Sequence, residues 1–526
     1  MLAGKEKQRI FLPASNTTMR RSIMSKSERD PSSIRSALKY LDSKGDVEHV
    51  RTEVDPILEI AGIQKALDKG PVLCFENIKG YPNFRDIGNF FSRRDRLADL
   101  FGVDDPKNLK MKFVEAIKNP VPTSVISEAP CQETIITDNI DVLSYLPVLK
   151  HTDRDGGRII GGGIQLLAGP WFDEGTHVSF NRIHFRGKNW ATIGTGQISH
   201  LGEAAFRTFR NERIPLTINI NPPPAVQMVA GTWNVRTIVH KGMSELGIAG
   251  GFQGSPVELA KAVSVPTYSI AQAEIVIEGY LEPETAWETE ASEKSKEFEK
   301  DPYFPEWVGY LGRSWKFRKF TATALTHRKD RPIFYTPLAH GLEYAGFDIL
   351  REAGFYEMAE RLYPGFVADV YVPEGLKWGS GVVFQVKKYK PQDEGLQRNL
   401  LLAAMANAPG MRMVVAVDED VDIYNADDLI WAIESRCNPI TDIILPAGGM
   451  RGIQAQPMEI IERGVGGYEG GVAFDATKPF NKAWRFERPH YPSDQIDLNK
   501  WFSQDKLSAI KGQQTEYART LARKGW

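Results

Sequence analysis

The chain has little cysteine: Cys74, Cys131 and Cys437 are the only three in 526 residues, far apart and without a Cys-x-x-Cys pair. Such spacing argues against a disulfide framework and against structural zinc, and fits a reducing cytoplasm, with the thiols read as small buried hydrophobes. Long apolar runs are missing as well, and none approaches the ~20 residues of a membrane-spanning helix. Neither sign of charge is in excess: 65 Lys and Arg stand against 67 Asp and Glu, for a formal net charge of −2. Without a block of basic residues, neither nucleic acid nor an anionic membrane is an expected partner. An apolar secretory core is absent from the first thirty residues, although Lys5, Lys7, Arg9, Arg20, Arg21, Lys26 and Arg29 fall there with few acids. Residues 1–29 read as a disordered tail, or translation as beginning at Met19 or Met24.

The length implies two to four domains, each able to bury its own core. Residues 30–125 read as a small α/β domain, with helical patterns from Ile34, over Asp55–Leu67, Asp86–Phe101 and Asp105–Ile117, and a buried strand at Pro71–Phe75. After Pro120-Val-Pro the texture changes. Glu133–Thr137, Ile159–Leu167, His177–Phe185, Pro215–Ile220 and Ala273–Gly279 are short β-type runs parted by Gly and Pro, the spacing of a barrel, over residues 126–345. Residues 282–300 form a charged insertion within it; six glutamates and three lysines between Glu284 and Lys300 predict a solvated helix or a mobile excursion. From 346 to 491 strands alternate with helices, which predicts a largely parallel sheet with crossovers. Residues 492–526 regain helical periodicity through Trp501, Leu507, Ile510 and Leu521, as a terminal helix for oligomerisation.

Gly175–Arg182 is the stretch the rest is organised around. Val178 and Phe180 alternate with Ser179 and Asn181 as in a half-buried strand, yet the stretch carries His177 near one end and Arg182 at the other. Five positions apart, those two point to opposite faces of a regular strand, so one ligand can meet both only across a bulge or if His177 precedes the strand. His200 and Glu245 complete a donor set of two imidazoles and a carboxylate suited to Mn²⁺ or Fe²⁺. Further on, Asp301-Pro-Tyr-Phe-Pro-Glu306-Trp307 places two acids among aromatics that would desolvate them; the two prolines forbid a helix.

With Lys79-Gly-Tyr-Pro82, Leu146-Pro-Val148, Asp155-Gly-Gly157, Glu274–Gly279, Asp418–Tyr424 and Asp428–Pro439, these segments resemble the UbiD-like family of prenylated-FMN-dependent reversible decarboxylases. The resemblance implies an α+β multidomain fold: an N-terminal α/β domain, a central split β-barrel that binds the flavin, and a C-terminal α/β domain with a linking helix. It implies that Thr176, His177, Val178, Ser179, Phe180, Asn181, Arg182, Ser199, His200 and Glu245 line the cofactor, with His177, His200 and Glu245 as metal ligands. Arg182, Asp301 and Glu306 become the catalytic arginine and acids, and Trp307 a wall of the substrate pocket. The implied cofactors are prenylated FMN and a divalent metal, Mn²⁺ or Fe²⁺, with K⁺ a further candidate. Two positions depart from the family pattern: histidine 177 replaces a usual asparagine, and aspartate 301 a usual glutamate. The implied activity is non-oxidative, reversible decarboxylation of an aromatic or α,β-unsaturated acid, an aryl-CoA acid included, in a cytoplasmic homodimer or homohexamer supplied by a flavin prenyltransferase. An FMN-dependent oxidoreductase and a non-catalytic subunit of a carboxylase complex stand as alternatives, because a fold does not set its chemistry.

Overall fold

The computed structural model describes residues 29–526 except 170–171, 173–174, 196–198, 233–234, 298–301, 307–308, 377–379, 409–410 and 447–470. The tail expected over residues 1–29 therefore lies outside the described residues but for Arg29. The N-terminal unit is a four-stranded sheet in the order Val47–Val50, Val72–Phe75, Arg85–Gly88, Ile333–Tyr335, so its last strand is supplied from beyond the barrel. Helices Ile34–Ser43, Glu59–Ala66, Arg94–Leu100 and Leu109–Lys118 accompany it. The helix expected over Asp86–Phe101 begins only at Arg94. Asp86 and Ile87 instead pair with strands on both sides, and Asn89 takes a positive φ of 61° that no helix tolerates.

The central unit is an eight-stranded sheet. Its main path runs His177–Phe180, Gly163–Leu167, Ile214–Ile220, Ile275–Trp287, Lys316–His327, Trp190–Ile193, Ile183–Phe185, and Thr134–Ile136 pairs with Lys316–His327 off that path. The two strands at opposite ends of the path, His177–Phe180 and Ile183–Phe185, are joined by Asn181 and Arg182 alone. A linker that short spans only about 11 Å between Phe180 and Ile183, so the sheet must curl until its edges nearly touch. It is a barrel split along one seam, and Arg182 stands in the seam. All seven residues of Ile214–Ile220 are buried, as a strand covered on both faces requires.

The charged insertion needs correction only before its exposed helix. Through Trp287 it continues the long strand, with Trp287 opposite Lys316, and a short helix follows over Glu290–Ser295. Glu288, inside the run read as solvated, is fully buried. Charge composition alone could not distinguish an acid that meets an arginine from acids that face water.

Helix Tyr344–Leu362 leads to the C-terminal sheet, ordered Val367–Tyr371, Gly381–Val386, Met413–Asp418, Val472–Ala476, Ile443–Ile444; its three middle strands are parallel and both edges antiparallel. Arg94 pairs with the buried Glu352 of that helix, and Lys110 lies 2.7 Å from Asp369, so the C-terminal unit is tied to the N-terminal helices. The terminal segment forms two helices, Gln504–Gln513 and Glu516–Lys524, in place of one. Its end folds back, with Arg488 stacked between Trp431 and Trp526. No helix among the described residues is long and apolar enough to cross a membrane.

Candidate active site

His177 is the first residue of its strand, which ends at Phe180; Arg182 lies in the linker that follows. The break in the ladder answers the facing problem posed by their spacing. At the first end, Glu245 opens helix Glu245–Gln253, capped by Ser244, whose hydroxyl accepts from Gly247 N and lies 2.7 Å from the Thr176 hydroxyl. Gly250 and Gly251 let that helix lie against Val121 and Ala116; a Cβ on either would come within 2.9 Å of a backbone oxygen. The Glu245 carboxylate is thereby fixed 2.8 Å from His177 Nδ1, and its Oε2 also accepts from Val178 N at 2.8 Å. His200, the first residue of a short helix capped by Ser199, brings its Nδ1 to 3.1 Å from His177 Nδ1.

Burial pushes the Glu245 carboxyl upward, but His177 and the Val178 N–H outweigh it and hold the group below the usual carboxylate range. Burial, then the neighbouring His177, lowers His200, favouring the neutral imidazole a metal needs. One donor atom from each residue lies within 4.8 Å of the others. His177 Nδ1 carries at most one proton, so it cannot donate to Glu245 and His200 together, and its buried Nε2 meets no hydrogen-bond partner among the described residues. A cation drawing on all three donors relieves that conflict, so the set fits a divalent metal.

At the other end, Arg182 donates from Nε to Glu288 Oε1 and from Nη2 to Glu288 Oε2, both at 2.8 Å, in a two-pronged pair. Its Nη1 reaches Glu306 Oε1 at 2.6 Å, and Nη2 also donates to the Arg313 carbonyl at 2.9 Å. Glu288 Oε2 accepts in addition from Trp315 N at 2.8 Å. Burial raises the Glu288 carboxyl above its ordinary value, and Arg182 offsets only part of that effect. Glu306 sits in the turn between Pro302–Pro305 and Leu311–Arg313, where its N–H donates to Tyr310 O. Two glycines admit these side chains: a Cβ on Gly312 would fall 2.4 Å from Glu306 Oε1, and one on Gly194 would fall 2.9 Å from Arg182 Cγ. His184 bonds through Nδ1 to the Glu288 carbonyl; burial takes its pKa down to about 4, so it stays neutral.

The structure thus brings together His177, His200 and Glu245, and separately Arg182 and Glu306. Thr176, Val178 and Ser199 support the first group as described. Asn181 donates to Gln165 and Ser179, and Phe180 packs on Phe347 at 5.6 Å between ring centroids. Asp301 and Trp307 lie outside the described residues. Glu288, the second carboxylate on Arg182 among the described residues, was missed by sequence reasoning. Within a run of charge that the sequence alone does not resolve, nothing marked it; only the strand pairing that ends at Trp287 carries it to the seam.

The matches to known proteins put this chain among the carboxy-lyases. The chain belongs to the UbiD family: residues 38–113, 123–341 and 347–476 match the N-terminal, Rift-related and C-terminal domains of 3-octaprenyl-4-hydroxybenzoate carboxy-lyase. A gallate decarboxylase of Lactiplantibacillus plantarum is 27% identical over 469 residues, covering 84% of this chain and 92% of its own. The apo 3,4-dihydroxybenzoic acid decarboxylase of Enterobacter cloacae superposes with a TM-score of 0.78 at 28% identity, over 89% of this chain and 98% of that one. An evolved dimeric form of the UbiD-class enzyme HmfF from Pelotomaculum thermopropionicum, solved in complex with prFMN (prenylated FMN), gives 0.76 at 28% identity, over 90% and 100%.

Proposed function

We propose that this protein removes CO₂, reversibly and without net oxidation, from an aromatic or α,β-unsaturated carboxylic acid, with prenylated FMN and a divalent metal as cofactors. The observation that carries the reading is Arg182, held between Glu288 and Glu306 in the seam of the barrel at the end of the strand that opens with His177. Loss of CO₂ from an sp² carbon leaves an electron pair in the ring plane that no side chain can delocalise. Bound prenylated FMN supplies that electron sink. His177, His200 and Glu245 would hold the metal that anchors the cofactor, Mn²⁺ or Fe²⁺ in the first instance; a second imidazole in the set shifts the preference toward Fe²⁺ or Zn²⁺.

Arg182 contacts the cofactor edge or the incoming carboxylate and keeps the two acids in register. Glu306 is the proton donor: it sits at a turn, keeps one oxygen beyond its bond to Arg182, and returns a proton to the carbon that CO₂ has left, so that R–COO⁻ and H⁺ become R–H and CO₂. Glu288, enclosed and bonded on both oxygens, positions the guanidinium. Gallate and 3,4-dihydroxybenzoate, the acids named for its relatives, are the first substrates to try. A second copy of this chain is the proposed partner of the terminal segment, where Trp501, just before the first terminal helix, is 62% exposed, among other apolar side chains.

The test is to express the protein with a flavin prenyltransferase, identify the released cofactor by mass spectrometry, and measure CO₂ from a panel of aromatic acids. Prenylated FMN together with CO₂ release is expected. Unmodified FMN with hydride transfer, or loaded protein inert toward every acid in the panel, overturns the reading.

A further inference from the structure

A second cluster of metal-type donors lies in the N-terminal sheet, outside the barrel sheet. Strands Val47–Val50 and Val72–Phe75 pair in parallel with His49 directly opposite Cys74, which puts the two side chains on one face. Glu76 N continues the ladder to Val50 O, and Glu76, two residues after Cys74, returns to the same face. Glu76 Oε1 lies 3.0 Å from His49 Nδ1 and 3.5 Å from Cys74 Sγ, and the three donor atoms all fall within 4.8 Å of one another. The pairing explains how residues 49, 74 and 76 converge without any Cys-x-x-Cys signature.

The surroundings complete the pattern of a ligand set. His49 turns its other nitrogen, Nε2, to Asp42 Oδ1 at 3.3 Å, the carboxylate–imidazole arrangement that orients metal-binding histidines. Glu76 uses its far oxygen, Oε2, to accept from Arg331 Nη1 at 2.9 Å, which leaves Oε1 aimed at the thiol and the imidazole. Cys74 is 2% exposed, while the side chains of His49 and Glu76 are 33% and 20% exposed. The sulfur therefore forms the floor and the other two donors the rim, with water able to enter over them.

We propose that Cys74, His49 and Glu76 form a binding site for a thiophilic divalent cation of the Zn²⁺ class, with a water in the fourth position and Asp42 and Arg331 bracing the ligands. A sulfur, nitrogen and oxygen set in tetrahedral reach suits Zn²⁺ far better than Mg²⁺ or Mn²⁺. A bound dication displaces the Cys74 thiol proton to solvent and takes the thiolate as ligand. The ion would staple the first two strands of the sheet together.

Sulfur makes the test specific, because the set His177, His200 and Glu245 has none. The cofactor-loaded protein is titrated with Co²⁺ and followed in the near ultraviolet, where thiolate-to-cobalt charge transfer absorbs, and Zn²⁺ content is measured in parallel. One equivalent of Co²⁺ with a charge-transfer band, displaced by Zn²⁺, is expected. The band should vanish in Cys74→Ser, and Asp42→Asn should weaken Co²⁺ binding by about 10–100-fold. His49→Ala, which alters a partly exposed side chain, serves if Cys74→Ser fails to fold, and it too should lose the band. Co²⁺ uptake without a charge-transfer band, or a band that persists in these variants, overturns the proposal.

Discussion

Glu343 offers a quantitative test of how this molecule is held together. It stands just before helix Tyr344–Leu362, 1% exposed, with Oε1 accepting from Phe91 N and from the Tyr335 hydroxyl, each at 3.3 Å. Its Oε2 meets no hydrogen-bond partner among the described residues, and neither does either oxygen of the buried Asp86 nearby. Burial moves the Glu343 carboxyl from an ordinary 4.5 up to about 7, and burial followed by the Glu343 charge raises Asp86 as well. Between those two pH values the folded protein holds a proton that the unfolded chain has released. The stability linked to Glu343 is therefore complete below pH 4.5, falls as pH rises, and is gone above about 7. At about 1.4 kcal/mol per pH unit the interval corresponds to roughly 3 kcal/mol. An unfolding entropy of about 2.1 cal/mol/K per residue over about 500 residues turns this into a Tm decrease on the order of 3 °C, and more if one unit melts alone. Glu343→Gln removes the titrating group, so the variant's Tm should change with pH less steeply by that amount between pH 4.5 and 7. Scanning calorimetry of both proteins across this range supplies the comparison. Parallel Tm–pH curves would refute the argument that this buried acid stays protonated.

Other outcomes follow from the active-site geometry. Glu288→Ala takes its two-pronged partner from a buried guanidinium, and should cost about 3–5 kcal/mol in stability along with most turnover; thermal unfolding and CO₂ release report the two separately. Gly312→Ala should move the Glu306 carboxyl and reduce kcat while leaving cofactor content unchanged, because the added methyl would sit 2.4 Å from Glu306 Oε1; equal kcat in the variant would contradict the placement. His200→Ala should lose bound metal and cofactor together, measured by elemental analysis and absorbance, and a fully loaded variant would remove metal anchoring from the account.

Much of the fold was legible because its signals are local. The helix at Leu396–Asn407 and that at Ala426–Arg436 have periodic apolar faces, and the strand Gly381–Val386 is buried but for Gln385. Resemblance and spacing marked His177, His200, Glu245, Arg182 and Glu306, each beside a glycine, a cap or a strand end. What stayed hidden depends on register between distant segments. Glu288 sits in a run of charge, and only the pairing of Trp287 with Lys316 carries it toward Arg182. Cys74 is buried as its reading as a small hydrophobe implied, but its neighbours His49 and Glu76 emerge only from the parallel pairing and the fold around it. Asp86 read as part of a helix because a four-residue strand between two others has too few residues to display its own period.

The claim that matters most is that Arg182 and its acids carry out exchange of CO₂ at a ring carbon. Incubating cofactor-loaded protein with 3,4-dihydroxybenzoate or gallate and ¹³C-bicarbonate, and reading the acid's carboxyl by mass spectrometry, tests it directly. Label should enter the acid with wild type and fail to enter with Glu306→Gln, whose flavin absorbance should match the parent. Label entering at comparable rates in both proteins would contradict the role given to Glu306 and, with it, the chemistry proposed for the seam.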